Sequence, residues 1–134
     1  MEKQKILIAD DSEMNRALLV DILEDQYDIV EADNGAAAID LLTQCGGDFS
    51  LLLLDIMMPE MDGFEVLAYI NRYHLNDTLA VIMISADDSP ANIKRAYDLG
   101  AFDYISRPFD AAIVRRRISN TMLLYARQRH LENI

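Results

Sequence analysis

The hydrophobic pattern of the chain contains three short runs that are apolar almost throughout. They lie at 5–9, 51–54 and 80–84. Runs of this length with no polar alternation are typical of strands buried on both faces of a parallel sheet. The stretches 27–32 and 103–106 are weaker strand candidates. The sequence therefore predicts five strands, the three apolar ones central and the other two outer.

Helical spacing of apolar residues separates these strands. Ser12 is the expected N-cap of the first helix, whose apolar positions, three and four residues apart, predict one buried stripe: Met14, Leu18, Leu19, Ile22 and Leu23. A second helix is predicted over 36–44, after the turn residues Asp33-Asn34-Gly35. It is closed by Gly46-Gly47, with inward-facing Ile39, Leu41 and Leu42.

Three more helices follow. One begins at Phe64 and ends near Tyr73, and the next begins at Pro90 and is closed by Gly100. The last begins at Asp110 and carries a predicted buried stripe: Val114, Ile118, Met122 and Tyr125. Strands that alternate with helices require parallel pairing with right-handed crossovers. We therefore predict an α/β domain, a doubly wound parallel sheet in the order 2-1-3-4-5 with helices on both faces.

Length and cysteine content restrict the class of protein. A chain of 134 residues has room for one compact domain. The single Cys45 cannot form an internal disulfide, and neither a leader segment nor an apolar run of membrane-spanning length is visible. We therefore expect a soluble protein in a reducing, cytoplasmic setting.

Charge is spread unevenly along the chain. The net charge is -11, yet residues 1–106 carry 21 acidic against 6 basic side chains, whereas residues 107–134 carry 6 basic against 2 acidic ones. An acidic body repels phosphates, so we expect no direct nucleic-acid binding by this domain. We interpret the basic end as a solvated helix face rather than a polyanion site.

Carboxylates follow two of the predicted central strands. Asp10 and Asp11 follow the first strand, and Asp55 follows the leucine run at 51–54. Adjacent parallel strands end at one edge of the sheet, so the three acids should converge and repel one another unless a cation intervenes. Oxygen ligands alone suit a hard ion such as Mg²⁺. The alternative, that Asp10 and Asp11 only cap the next helix, does not explain the third acid.

Ser85 and Arg107 end the next two predicted strands at the same edge. They supply a hydroxyl and a fixed positive charge beside the carboxylates. Either residue alone would more often be an ordinary surface side chain. Together with a metal ion they make a site in which Asp55 could accept a phosphoryl group as the nucleophile.

These landmarks resemble the receiver domain of two-component response regulators, which has a flavodoxin-like (βα)5 fold. The resemblance covers about residues 4–125, and its motifs are Asp10-Asp11, the segment 55–63 (DIMMPEMDG), Ser85-Ala86, and the segment 100–109 (GAFDYISRPF). It implies that Asp55 takes phosphate from the phosphohistidine of a sensor histidine kinase or phosphotransfer protein. It also implies that Asp10, Asp11, Asp55 and the main-chain carbonyl of Met57 hold Mg²⁺, directly or through water.

The same resemblance implies a switch rather than an enzyme that turns over a separate substrate. In that scheme the hydroxyl of Ser85 moves to the phosphoryl group and the ring of Tyr104 turns inward. The face made by helix 4, strand 5 and helix 5 then changes, and a homodimer through this face is one expected outcome. The Arg107–Pro108 peptide bond is expected to be cis by the same analogy.

Two positions modify this expectation. The family's usual lysine before the proline is Arg107 here, and a planar guanidinium does not replace a compact ammonium. We expect Asp55 to be phosphorylated still, with weakened coupling to the switch face; the alternative is a degenerate receiver, a phosphate-independent interaction module. Met57, two residues after Asp55, is expected to hinder attacking water and so to slow hydrolysis of the acyl phosphate.

The last predicted helix has no stop signal. We expect a receiver domain over 1–125, and we interpret 126–134 as a continuation of the last helix, either a solvent extension, a partner-binding helix or a linker to a downstream output domain. The positions of Leu124, Leu131 and Ile134 are too few to predict a coiled coil.

Two other classes of protein share this architecture. An aspartyl-phosphate phosphatase or transferase would need a second acid two residues after the nucleophile, where this chain has Met57, and an insertion to cover its substrate. A flavin-binding module would need a Ser/Thr/Gly-rich phosphate loop after the first strand. The acids in that loop would instead repel a flavin phosphate.

Overall fold

Five parallel strands form a single sheet in the order β2-β1-β3-β4-β5. The structure is a computed structural model that describes residues 3–45, 48–86 and 89–132, except for the side chains of Cys45 and of residues 126–132. The strands are β1 (Lys5–Ala9), β2 (Asp28–Ala32), β3 (Phe49–Asp55), β4 (Ala80–Ser85) and β5 (Asp103–Ser106). The predicted strand order is confirmed, with the three apolar strands at the centre.

Five helices connect and cover the strands: α1 (Glu13–Leu23), α2 (Gly35–Cys45), α3 (Gly63–Arg72), α4 (Pro90–Asp98) and α5 (Ala111–Glu132). Ser12 caps α1 as predicted. Gly100, with φ of 99°, follows α4 as expected for glycine in a left-handed conformation. A short 3₁₀ turn, Leu75–Asp77, was not predicted. The predicted stop at Gly46-Gly47 and the end of the chain at 133–134 lie outside the described residues.

Each face of the sheet has its own hydrophobic core. Helices α1 and α5 cover one face, with a core that includes Leu19, Leu23, Val114 and Ile118. Helices α2, α3 and α4 cover the other, with a core that includes Leu42, Phe64, Leu67, Ile70 and Ala96. Because both faces are covered, the strands carry apolar residues at consecutive positions. This packing holds the carboxyl ends of the strands rigidly in place.

The predicted stripe of α1 is wrong at two positions. Leu19 and Leu23 are buried, but Met14 is 74% exposed and Leu18 is 49% exposed. Successive helical residues are rotated by about 100°, so Leu18 and Met14 lie about 100° and 140° away from Leu19. The stripe that contacts the sheet is therefore narrower than the apolar spacing suggested.

The basic α5 helix contacts its neighbours through two arginines. Arg115 donates from Nε to the carbonyl oxygen of Ile22 at 3.1 Å, and Arg117 lies 3.7 Å from a carboxylate oxygen of Asp103. Both side chains are on the exposed surface of the helix. For these residues the arrangement agrees with a solvated helix face; Arg107 lies instead at the carboxyl edge of the sheet, and the side chains of Arg127 and Arg129 lie outside the described part of the chain. Among the described helices, none is both long and apolar enough to cross a membrane.

Gly63 allows the loop after β3 to fold back tightly onto the strand. A Cβ atom there would lie 2.3 Å from the carbonyl oxygen of Asp55 and 2.8 Å from Cα of Ile56, both of them backbone atoms. We expect Gly63→Ala to lower the free energy of unfolding by more than about 2 kcal/mol, because the backbone must move to relieve the overlap. Urea unfolding measures this loss, and a change below about 0.5 kcal/mol would contradict the close approach.

Candidate functional site

Three carboxylates converge at the carboxyl edge of the sheet. Strands β1 and β3 are neighbours, so the residues that follow Ala9 lie beside Asp55. One oxygen from each of Asp10, Asp11 and Asp55 lies within 4.8 Å of the others. Asp10 and Asp55 are almost completely buried, whereas Asp11 is exposed. The convergence predicted from the strand ends is therefore observed.

Local hydrogen bonds orient the two buried carboxylates. Oδ1 of Asp10 accepts the backbone N–H of Ser12 at 2.8 Å, and Oδ1 of Asp55 accepts the backbone N–H of Met57 at 3.3 Å. The N-cap of α1 is Ser12, whose hydroxyl accepts the N–H of Asn15 at 3.3 Å. The capping role considered for Asp10 and Asp11 is thus taken by Ser12, and Asp10 contributes only a turn bond before the helix.

Arg107 brings a positive charge to the two buried acids. Its NH2 atom lies 2.6 Å from Oδ2 of Asp10 and 3.1 Å from Oδ2 of Asp55. The Arg107–Pro108 peptide bond is cis, as the resemblance implied. The guanidinium therefore partly compensates two carboxylates that would otherwise be buried together without a cation.

The balance of charges changes the acidity of Asp55. Burial, followed by the neighbouring charge of Asp10, raises the pKa of Asp55 to about 6, although Arg107 and the N–H of Met57 act in the opposite direction. Asp55 is therefore mostly ionised at pH 7. Its carboxylate is also more basic, and so a better nucleophile, than that of an exposed aspartate.

Ser85 and Tyr104 lie on the two strands beyond Asp55 in the sheet. Ser85 ends β4 and pairs in register with Ser106, and both Ser85 and Tyr104 are buried. Tyr104 belongs to the core on the α4 side. Ser85 follows Val81 and Met83, which are in the same core, so the alternation of side chains places it on the face that Tyr104 occupies.

Met57 follows Asp55 closely and faces solvent. Its side chain is 69% exposed. The effect of Met57 on hydrolysis stays a prediction.

Two site residues were missed in the sequence. Arg16 donates from NH1 to the backbone carbonyl of Asp10 at 2.7 Å, and Asn15 lies against the guanidinium of Arg107. The sequence did carry a signal for Asn15. It precedes Leu19 and Leu23 at intervals of four residues, so this polar side chain lies on the same face of α1 as the apolar residues that contact the sheet.

The sheet order defines a flavodoxin-like α/β domain. Its acids lie at the switch point between β1 and β3, where such folds bind their ligands. A family model described as the response regulator receiver domain matches residues 6–119. The chain therefore belongs to the response regulator receiver domain family, whose members are signalling switches rather than conventional enzymes.

Relatives and solved structures agree with this membership. The chain is 35% identical to the chemotaxis protein CheY of Halobacterium salinarum, over 91% of this chain and 98% of that protein. It is also 35% identical to a probable cyclic di-GMP phosphodiesterase of Vibrio cholerae, over 84% of this chain but only 25% of that longer protein. A crystal structure of a CheX–CheY–BeF3–Mg²⁺ complex from Borrelia burgdorferi matches with a TM-score of 0.81 and 30% identity, over 87% of each chain.

Proposed function

We propose that this chain is a phosphorylation-controlled switch of a two-component system, acting in the cytoplasm, with Asp55 as the phosphoacceptor. The observation that carries the proposal is the convergence of Asp10, Asp11 and Asp55, with Arg107 placed against two of them. Membership of the receiver family supports the same conclusion.

The residues present fit a magnesium ion. Three carboxylate oxygens lie within 4.8 Å of one another, and hard oxygen ligands are those that Mg²⁺ prefers. In the proposal Asp10, Asp11, Asp55 and the main-chain carbonyl of Met57 hold the ion, directly or through water. When bound, Mg²⁺ neutralises charge on phosphoryl oxygens. The similar Borrelia burgdorferi structure includes Mg²⁺ and the group BeF3.

The proposed transfer uses the ionised carboxylate of Asp55. One of its oxygens forms a bond to phosphorus while the phosphorus–nitrogen bond of a phosphohistidine breaks, and the imidazole nitrogen keeps that electron pair. Arg107 stabilises the negative charge of the phosphoryl group through its guanidinium. The histidine belongs to a sensor kinase or a phosphotransfer protein.

The readout of the switch is assigned to Ser85 and Tyr104. Both are buried on the same face of the sheet, next to the core that α4 completes. In the proposal the hydroxyl of Ser85 turns to the phosphoryl group. The ring of Tyr104 moves in response, and the surface of α4, β5 and α5 changes. A homodimer through this surface is part of the proposal, and so is a downstream output domain joined to the receiver, 1–125, through 126–134. The longer Vibrio cholerae relative, of which this chain spans a quarter, favours such a linkage.

Incubation with a small-molecule phosphodonor and Mg²⁺ tests the proposal directly. We expect one hydroxylamine-labile phosphoryl group per chain in the intact mass, located on Asp55 by peptide mapping, and none when EDTA removes the metal. If no adduct forms, the phosphate-independent alternative holds. One contact favours that alternative: the NH2 atom of Arg107 lies 2.6 Å from an oxygen of Asp10 and 3.1 Å from an oxygen of Asp55, and so partly compensates both carboxylates.

The lifetime of the phosphoryl group is expected to depend on Met57. Replacing this exposed apolar side chain by asparagine lets an amide hold water beside Asp55, so Met57→Asn should speed dephosphorylation roughly tenfold. Loss of the adduct after removal of the phosphodonor measures the rate. Met57→Leu is the matched control, which should change it less than about twofold, and equal rates in all three proteins would contradict the role of Met57.

A further inference from the structure

The amide of Asn15 lies against the guanidinium of Arg107. This amide is oriented with the oxygen towards Arg107, because the opposite orientation would set its NH2 group against the NH donors of the arginine. In this orientation Oδ1 of Asn15 accepts from NH2 at 3.2 Å and from NH1 at 3.3 Å. One side chain of α1 thus spans both terminal nitrogens of the guanidinium.

The guanidinium divides its contacts between charged and neutral partners. NH2 contacts Asp10 and Asp55 as well as Asn15, while NH1 contacts Asn15. Nε is buried and finds no acceptor among the residues that the structure describes. The orientation of the guanidinium plane of Arg107 therefore depends on Asn15.

A neutral acceptor suits this position. A fourth carboxylate would add to the repulsion among Asp10, Asp11 and Asp55 and would hold the guanidinium strongly. A hydrogen bond to an uncharged amide is weaker than an ion pair with a buried carboxylate. NH1 can therefore leave Asn15 at small cost.

We infer that Asn15 is a positioning residue that adapts this site to an arginine at position 107. At rest it orients the guanidinium, and during phosphorylation it releases NH1 to a phosphoryl oxygen. A lysine offers a single nitrogen with no counterpart of NH1, so it has neither a planar fork for Asn15 to orient nor a second nitrogen to release to a phosphoryl oxygen. The resting part of this inference stands on the contacts alone, whereas the release of NH1 rests on the proposed function.

A double-mutant cycle on thermal stability, without Mg²⁺ or phosphodonor, tests the resting contact. Asn15→Leu keeps the size of the side chain but removes the acceptor. We expect it to lower the midpoint of thermal unfolding by about 4 °C in the Arg107 chain and by less than about 1 °C in the Arg107→Lys chain. Equal losses in the two backgrounds would mean a merely structural role for Asn15 and would overturn the inference.

The rate of phosphorylation by a small-molecule phosphodonor with Mg²⁺ tests the positioning. We expect Asn15→Leu to slow it about fivefold when residue 107 is arginine and less than about twofold when it is lysine. Asn15→Gln keeps an amide oxygen and should restore at least half of the loss. Gln44→Leu, a similar replacement at an exposed position of α2, is the control and should change neither readout.

The two proposals fail differently. If the unmodified chain is never phosphorylated, the proposed function fails, and the stability cycle still decides whether Asn15 holds Arg107. If phosphorylation occurs but Asn15→Leu has the same effect with arginine and with lysine at position 107, the inference fails and the proposed function stands.

Discussion

The Asp55→Asn variant is expected to lose all phosphorylation and yet to unfold at a higher temperature than the parent. The loss follows because an amide oxygen is not a nucleophile for phosphorus under these conditions. The gain in stability follows because Asp55 is buried beside Asp10, which raises its pKa to about 6. Above that pH the folded protein carries a buried carboxylate. Its charge costs less free energy in the unfolded chain, where water solvates it.

The sign of the pH dependence is fixed by this raised pKa. The folded state binds the proton of Asp55 more tightly than the unfolded state, so this contribution to stability is complete below about pH 4 and is lost as the pH rises to about 6. Without divalent ions, Asp55→Asn should therefore gain about 1–3 kcal/mol at pH 7.5 and little at pH 4.

Thermal unfolding at the two pH values measures the effect. Asp40→Asn is the matched control, because Asp40 is an exposed residue of α2 and should change neither stability nor phosphorylation. Two results would show instead that the buried charge is fully compensated. Asp55→Asn would be less stable than the parent at pH 7.5, or it would be more stable by the same amount at both pH values.

Removing the charge of Arg107 is expected to have the second large effect. Arg107→Met keeps most of the aliphatic stem but leaves Asp10 and Asp55 without the guanidinium that lies 2.6 Å and 3.1 Å from their oxygens. Taking one partner from a buried ion pair is strongly destabilising, and we expect a loss of about 3 kcal/mol at pH 7.5 without divalent ions.

Magnesium should reverse much of this loss. The guanidinium and a metal ion compete for the same two carboxylates, so its removal should raise the affinity for Mg²⁺ at least about tenfold. The midpoint of unfolding of Arg107→Met should therefore rise more with millimolar Mg²⁺ than that of the parent. Arg107→Lys, which keeps the charge, is the control with a smaller loss and a smaller response. The same response to Mg²⁺ in all three proteins would contradict a metal site at these carboxylates.

Much of the fold was predictable because a strand that is buried on both faces of a sheet is apolar at consecutive positions. The leucine run at 51–54 and the apolar run at 80–84 identified central strands, and the acids after the first and third strands indicated the edge where they meet. Helix boundaries were predictable where a single residue decides them, as Ser12 and Gly100 do. The 3₁₀ turn Leu75–Asp77 carried no such residue and was missed.

The width of a buried helix face was less predictable. Met14 and Leu18 are apolar and correctly spaced, but they face solvent because only a narrow side of α1 contacts the sheet. Which apolar residues a helix buries depends on how it is rotated against its neighbours. That rotation is set by packing with α5 and the strands, which are distant in the sequence.

The sequence by itself determined the family, the sheet order and the residues gathered at its carboxyl edge, because strand composition and the residues that end strands act locally. Only the tertiary structure decided the contacts of Arg107 with Asp10, Asp55 and Asn15 and the raised pKa of Asp55. These properties depend on distances of a few ångströms and on exclusion of water, both of which arise only when segments far apart in the chain are packed together.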